Sequence, residues 1–347
     1  MRAFSLGESQ AKLMTSGVAK GKRTPKTPTA KKRRAAAGAS AKAANDPAAW
    51  KLHRKGGVTL VMAPPLARLD WLVHGFSTRL GGVSELASGA NREANSGKEL
   101  NLGFTEEDSR ERVLANRRKY FQALGAGKMR PIALRQIHSD IVQVVDSSKA
   151  ALADVAPQGD ALITRERGVL LCVQTADCIP ILLADTKHRA VAAIHSGWRG
   201  TVRRIAEKTL GRMQMEFGTR PSDVIAAIGP GIARCCYEVG HEVVKEFAAK
   251  FPDAREWFDG PFDALSDGDH DPNWLPWLTM KPPGHAPPAP RVQLDLVAAN
   301  RAILAGAGIP PARIVSSGYC TRCRTDLFFS YRLERATGRL MAAIGVR

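Results

Sequence analysis

The stretch 168–200, GVLLCVQTADCIPILLADTKHRAVAAIHSGWRG, decides the fold. Its three apolar runs, 168–175, 179–184 and 190–195, are short, rich in Val, Ile and Leu, and separated by turn-forming polar residues. Runs of that length and composition read as strands. Working outward, similar runs predict strands over 131–137, 141–145, 160–164 and 224–228. Between them the period lengthens to that of helices. Residues 109–124 place Val113, Tyr120, Phe121 and Leu124 on one face, with Ser109 as an N-cap and Gly125 as a stop. Residues 201–217 do the same with Val202, Ile205, Leu210, Met213 and Phe217, and shorter helices are predicted over 241–251 and 295–305, the latter starting at Asp295. The expected class is mixed α/β.

At 253–290 the pattern breaks into Pro, Gly, Asp and Trp, and periodicity resumes at Val292. That segment reads as an insertion within a domain, a surface loop carrying Trp274 and Trp277. The chain of 347 residues is long enough for a substantial core, and 44% of it is hydrophobic. Its net charge of +18 is unevenly placed: residues 1–57 hold 14 Lys or Arg against Glu8 and Asp46, a net of +12. This segment, with Lys31-Lys32-Arg33-Arg34, lacks core-forming periodicity and is expected to be a disordered basic tail, a solvated extension first, with weak polyanion binding or an organelle transit peptide as the alternatives. Residues 58–347 are expected to form a single catalytic domain that does not need it. No run of about 18 apolar residues or signal-peptide pattern occurs, so no membrane span is expected and the cytoplasm is the expected compartment. Six Cys are too few and too clustered for a disulfide scaffold.

Chemistry concentrates in three segments where strands give out. These are Arg135-Gln136-Ile137-His138-Ser139, Thr175-Ala176-Asp177-Cys178-Ile179-Pro180 and Ile194-His195-Ser196-Gly197-Trp198-Arg199-Gly200. Two His and one Cys suit zinc, and three protein ligands leave one position open for catalysis. On residue types alone, a half-buried Cys and two surface His are the favoured reading of the same residues.

The wider set of motifs changes that balance. His74-Gly75-Phe76-Ser77-Thr78-Arg79 with Gly81-Gly82-Val83-Ser84, Asn101-Leu102-Gly103, Gln136-Ile137-His138, Gly159-Asp160-Ala161, Thr175-Ala176-Asp177-Cys178 and His195-Ser196-Gly197-Trp198-Arg199-Gly200 occur in order. Ile228-Gly229-Pro230-Gly231-Ile232, Cys235-Cys236-Tyr237-Glu238-Val239-Gly240, Cys320-Thr321, Phe328-Phe329-Ser330-Tyr331-Arg332 and Thr337-Gly338-Arg339 follow. From about Val73 onward the chain resembles the laccase-domain family, also called multicopper polyphenol oxidases or peptidoglycan editing factors.

The resemblance implies a layered α/β sandwich, two packed mixed sheets with helices outside. It also implies a zinc held by His138, Cys178 and His195, with copper as an alternative metal. The implied chemistry is phosphorolysis of adenosine, inosine or methylthioadenosine, with adenosine deamination at the same site, so the expected partners are a purine nucleoside and phosphate. Phosphorolysis needs cationic donors beside the ribose C1′. Arg79 is the first candidate for that phosphate, Arg199 and Arg332 the next, and Gln136, Asp160 and Asp177 are candidates to orient a ligand or base. Cys320-x-x-Cys323 departs from the family pattern, and with no further ligands evident at suitable spacing its thiols are expected to be reduced and metal-free.

Three rivals remain. A polyphenol oxidase of the blue-copper kind is disfavoured because none of the eight His forms a His-x-His pair. A cysteine hydrolase of peptidoglycan precursors would use Cys178 as nucleophile and His195 as base. A non-enzymatic nucleic-acid binder rests on the tail alone.

Overall fold

The structure is a computed structural model, and it describes residues 50–86, 98–146, 156–262 and 291–347. In chain order its strands are β1 Leu52–Lys55, β2 Val58–Val61, β3 Leu72–Ser77, β4 Leu80–Ser84, β5 Arg130–Ala133, β6 Val142–Val144, β7 Ala161–Thr164 and β8 Val169–Thr175. They continue with β9 Ile179–Asp185, β10 Val191–Ser196, β11 Val224–Ile228, β12 Glu238–Val239, β13 Phe258–Asp259, β14 Val292–Leu294, β15 Ile314–Ser316 and β16 Leu340–Val346. The helices are α1 Pro64–Ala67, α2 Arg110–Leu124, α3 Trp198–Val202, α4 Ile205–Phe217, α5 His241–Lys250, α6 Leu296–Gly306 and α7 Tyr331–Glu334.

Two six-stranded mixed sheets form the body. The first has the order β1-β2-β3-β16-β8-β5, and the second β15-β11-β9-β10-β7-β6. The period-2 alternation of strand side chains explains how they stack. In β8, Leu171 and Val173 point into the space between the sheets, while Leu170 and Cys172 point outward to α2. In β9, Leu182 and Ala184 face the first sheet, while Ile181 and Leu183 face the layer of α4, α5 and α6. Both faces of the inner strands of both sheets are therefore buried, which is why these strands read as continuous apolar runs. The result is a helix–sheet–sheet–helix sandwich, as the resemblance implies.

The helices start and stop where their end residues dictate. Ser109 Oγ accepts from the Arg112 N–H and Gly125 closes α2 in the left-handed region at φ 77°. Asp295 caps α6 by accepting from the Ala298 N–H at 2.8 Å. Tyr120, fully buried on α2, donates to the carbonyls of Gly75 and Met341 and ties the helix to β3 and β16. The helix expected over 201–217 is instead two, because Arg204 turns left-handed at φ 57° between α3 and α4.

Two boundaries are corrected. The tail expected to end at residue 57 overlaps the fold: β1 pairs with β2 across the Gly56-Gly57 turn, and Trp50, 2% exposed, packs on Phe76 at 5.8 Å between ring centroids. The insertion expected from residue 253 begins later, because Ala254, Trp257, Phe258 and Phe262 are buried beside α5 and β13 pairs with β14. Apolar side chains spaced irregularly among Pro, Asp and Gly hide this from periodicity. Trp274 and Trp277 lie outside the described residues, as do residues 1–49. Among the described residues no helix is long and apolar enough to cross a membrane.

Trp50 thus belongs to the core between the sheets. Trp50→Ala should cost about 3–5 kcal/mol in urea unfolding, and a chain beginning at Val58 should melt below one beginning at Ala49. Equal melting temperatures for the two truncations would show that β1 and Trp50 contribute nothing.

Candidate active site

The chain passes from the first sheet to the second in two places at the same end of the sandwich. One crossing, β5 to β6, carries Gln136 and His138; the other, β8 to β9, carries Asp177 and Cys178. His195 lies at the end of β10, which pairs with β9 so that His195 is opposite Pro180. The three segments singled out in the sequence therefore meet. The ligand atoms of His138, Cys178 and His195 all lie within 4.8 Å of one another, with Cys178 Sγ 3.9 Å from His138 Nε2. The two imidazoles stand edge to face, 4.9 Å between centroids.

A single carboxylate arranges two of the three. Asp160, fully buried at the start of β7, accepts from the backbone N–H groups of Ile137, His138 and Ser139 at 3.3, 3.1 and 2.6 Å. It also pairs with His195 Nδ1 at 2.8 Å. These bonds hold His138 at φ 57°, a backbone conformation that non-glycine residues rarely adopt. They also direct His195 Nε2 toward the other ligands, the usual role of a carboxylate behind a metal-binding His. Burial works against the charge, but the bonds from His195 and Ser139 hold the Asp160 carboxyl well below the usual carboxylate range.

Asp177 anchors the turn that carries Cys178. It sits at φ 90° and accepts from Thr321 Oγ1 and from the Arg332 N–H, both at 2.6 Å. Gly197 completes the close approach, since a Cβ there would stand 3.0 Å from Cys178 Sγ and 3.3 Å from His138 Cδ2. Burial disfavours a charged Cys178, yet the His195 imidazolium and hydrogen bonds from His138 and His195 bring its thiol down to about 6. Burial likewise opposes the His195 cation, and the Cys178 thiolate and Asp160 lift it to about 9.

The ligands open onto a cleft of about 540 Å³ lined by Gln136, Gln174, Thr175, Tyr331 and Arg339 beside them. The expected substrate residues fall in different places. Arg79 is not on the cleft: its guanidinium, 3% exposed, is held by Glu99 and by Glu334 at 2.7 Å, donates to the Thr325 carbonyl and stacks on Phe329. A cation so fully engaged has nothing left for phosphate, and its assignment is corrected to a structural one. Asp160 and Asp177 are positioning residues, because their carboxylates are spent on His195 and on backbone and Thr donors. Gln136 reaches the cleft, but its amide is bound at both ends by the N–H and carbonyl of Gln174. Arg199 stacks on Trp198, and Arg332 donates to the Glu238 carbonyl and lies over Tyr237. Both act electrostatically on Tyr237, as Cys178 does, so they flank the site without lining the cleft. Arg339 and Tyr331 belong to quoted motifs, Thr337-Gly338-Arg339 and Ser330-Tyr331-Arg332, but nothing in their spacing distinguished them as cleft residues.

The fold and this rim of three convergent donors define an α/β sandwich with a mixed imidazole–thiolate site. The chain belongs to the family described as multi-copper polyphenol oxidoreductase laccase, whose model matches residues 73–347. It is 37% identical to a purine nucleoside phosphorylase of Deinococcus radiodurans over 84% of this chain and 94% of the relative. It is also 37% identical to adenosine deaminase RL5 of an unknown prokaryotic organism, over 78% of this chain and 93% of that one. Among solved structures it is similar to YlmD from Geobacillus stearothermophilus, with a TM-score of 0.66 and 32% identity, covering 86% of this chain and 98% of that one.

Two outcomes test this geometry. In metal-free protein, iodoacetamide labelling of Cys178 should decline as pH falls through about 6, because the thiolate is protonated there rather than near 9; site-resolved mass spectrometry reads it, and a midpoint near 9 would break the His195 pairing. Asp160→Asn should weaken zinc binding roughly ten- to a hundredfold in a chelator competition, whereas unchanged affinity would mean Asp160 does not hold the ligands.

Proposed function

We propose that the chain is a zinc-dependent purine nucleoside phosphorylase, acting on adenosine, inosine or methylthioadenosine, that also deaminates adenosine. The observation that carries this reading is the convergence of His138, Cys178 and His195 on a cleft whose wall bears Tyr331 and Arg339. The donor set fits zinc, being two imidazoles and one thiol whose ionisation already lies near neutral pH, with a fourth direction facing the cleft. Zinc held there supplies a Lewis acid and a nucleophile derived from water near neutral pH. Among the described residues the other cluster that could hold a metal is made of Cys alone, not the imidazole-rich set that a multi-copper oxidase centre uses. The names of the relatives support the purine chemistry.

In phosphorolysis a phosphate oxygen bonds to the ribose C1′ as the bond from C1′ to the purine leaves with its electron pair on the base. Positive charge develops at C1′, and the phosphate must be held beside it. Arg339 takes the part first assigned to Arg79. Its guanidinium lines the cleft, braced by the carbonyls of Thr337 and Gly338 and placed 5.8 Å from the Tyr331 ring centroid. Tyr331, half exposed, offers a flat face for the base. Gln174 and Thr175 add polar groups along the same wall. The compartment that fits this chemistry is the cytoplasm, where nucleosides and phosphate are both available.

The cysteine hydrolase reading uses the same Cys178–His195 pair, and His138 separates the two. A nucleophile–base pair has no need of a second imidazole 3.9 Å from the sulfur, whereas a metal ligand set does. Single Ala variants of His138, Cys178 and His195 should each lose zinc, phosphorolysis and deamination together. A Cys178→Ala protein with this site's zinc intact and turnover gone would favour the hydrolase.

Arg339→Ala divides the two activities. Losing a charge-assisted contact of about 1.5–3 kcal/mol should slow adenine release from adenosine and phosphate roughly ten- to a hundredfold, with inosine formation falling far less. Equal losses would remove Arg339 from the phosphate role.

A further inference from the structure

The structure brings together four cysteines that the sequence keeps 84 residues or more apart as two pairs, Cys235-Cys236 and Cys320-x-x-Cys323. From spacing alone Cys320 and Cys323 lack partners, and that expectation is corrected: the fold supplies the missing two. Cys235 Sγ lies 3.7 Å from Cys236 Sγ and 3.5 Å from Cys323 Sγ, and Cys236 Sγ lies 3.4 Å from Cys323 Sγ. All four sulfurs fall within 4.8 Å of one another, and none is in a disulfide.

We propose that Cys235, Cys236, Cys320 and Cys323 form a second metal site, a tetrathiolate centre for a structural zinc. A zinc–sulfur bond of about 2.3 Å sets the edge of a tetrahedral sulfur cage at about 3.8 Å, and the three close sulfur pairs already approach it.

The backbone prepares the cage. Gly231 and Cys320 form an isolated parallel bridge, with the Gly231 N–H donating to the Tyr319 carbonyl and the Thr321 N–H to the Gly231 carbonyl. These bonds set the two Cys-bearing turns side by side. The Ala233 N–H points at Cys320 Sγ at 3.4 Å, the kind of donor that stabilises a metal-bound thiolate. Cys320 is buried, Cys236 half-buried, and Cys235 and Cys323 exposed, so an ion can enter from solvent. Four thiolates around a divalent cation carry a net charge of −2, and Arg234, Arg322 and Arg324 flank the ligands in sequence.

The centre differs from the His138–Cys178–His195 site in place and purpose. With no imidazole, and all four positions filled by protein, it has no opening for substrate. Its two turns hold the Asp177–Cys178 crossing from behind: the Ile232 N–H donates to the Asp177 carbonyl at 2.7 Å and Thr321 Oγ1 to its carboxylate. Metal bound there would clamp those turns, and with them the backbone that presents Cys178.

Metal content of the purified full-length chain, measured by mass spectrometry against protein concentration, tests the proposal whatever the enzyme's substrate. Two zinc per chain are expected, falling to one in Cys178→Ala and to one in Cys323→Ser, with circular dichroism confirming that both fold. Cobalt added to metal-stripped Cys178→Ala should restore one equivalent with sulfur-to-cobalt charge-transfer bands. If Cys323→Ser fails to fold, the Cys178→Ala result still decides, since no retained metal in that variant would overturn the proposal. Three further results would overturn it: equal zinc in wild type and Cys323→Ser, iron with sulfide in place of zinc, or an intact mass lighter by two hydrogens that marks a disulfide among these cysteines.

Discussion

Burial of the inner strands of both sheets on both faces is the constraint from which the rest of the molecule follows. Strands covered on either side by side chains leave no route between the layers except around the rim, so the chain crosses at β5–β6 and β8–β9. Crossings cannot continue the ladder, and their backbone groups need other partners. Asp160 answers that need at the first, taking three consecutive N–H groups; at the second the Asp177 carbonyl accepts from the Ile232 N–H, while the Asp177 carboxylate is anchored by Thr321 and Arg332. Left-handed backbone at His138 and Asp177 costs on the order of 1–3 kcal/mol each. Those bonds offset it, and the turns so fixed are the ones that carry His138 and Cys178, two of the three side chains that could hold a metal.

The arginines show why a motif does not by itself assign a role. Arg79 and Arg339 both fall in stretches of small and polar residues, yet one is locked between Glu99 and Glu334 and the other faces the cleft. Removing the Arg79 side chain would leave the Glu99 carboxylate without its cation in a buried place and Glu334 with only the Ser330 N–H and Thr337 hydroxyl, a large penalty that ties the β3–β4 turn to α7 and the residues before it. Its charge is thus committed to holding the chain ends of the domain together. Arg339 is braced by the Thr337 and Gly338 carbonyls beside the Tyr331 ring and has no carboxylate partner among the described residues, so its positive charge is oriented without being neutralised.

The layers were legible because periodicity reports burial. Seven strands and four helical segments follow from apolar spacing, and the three donor segments follow from where those runs stop. Strands β3 and β16 are less readable: Gly75 and Gly345 interrupt them, the first because Leu124 of α2 lies where a Cβ would go and the second because the Val169 carbonyl does. Strand β1 has only exposed residues, so no hydrophobic signal marks it. His138 was placed at a strand exit, but β5 ends at Ala133 and the ligand lies five residues into the crossing. Long-range proximity is the larger loss. The pairing of Arg79 with Glu334 and the meeting of Cys235 with Cys323 depend on sheet order, which a single sequence does not display.

The two donor clusters, on either side of the Asp177 turn, differ in a way that bears on what each can do. Two neutral imidazoles and one thiolate around a divalent cation leave a net charge of +1 and one free position, which favours binding an anion or a polarisable carbonyl or amine. Four thiolates leave −2 and no free position, which favours permanence. Reactive chemistry requires the first kind of site to hold its ligands at fixed directions while exchanging a fourth partner, and His138 and Cys178 sit on left-handed turns or beside them that could relax. The second kind of site, packed against Thr321 and Ile232, stiffens one of those turns without entering the cleft. Rigidity and openness are in this way assigned to different ligand sets, joined through the backbone of one residue.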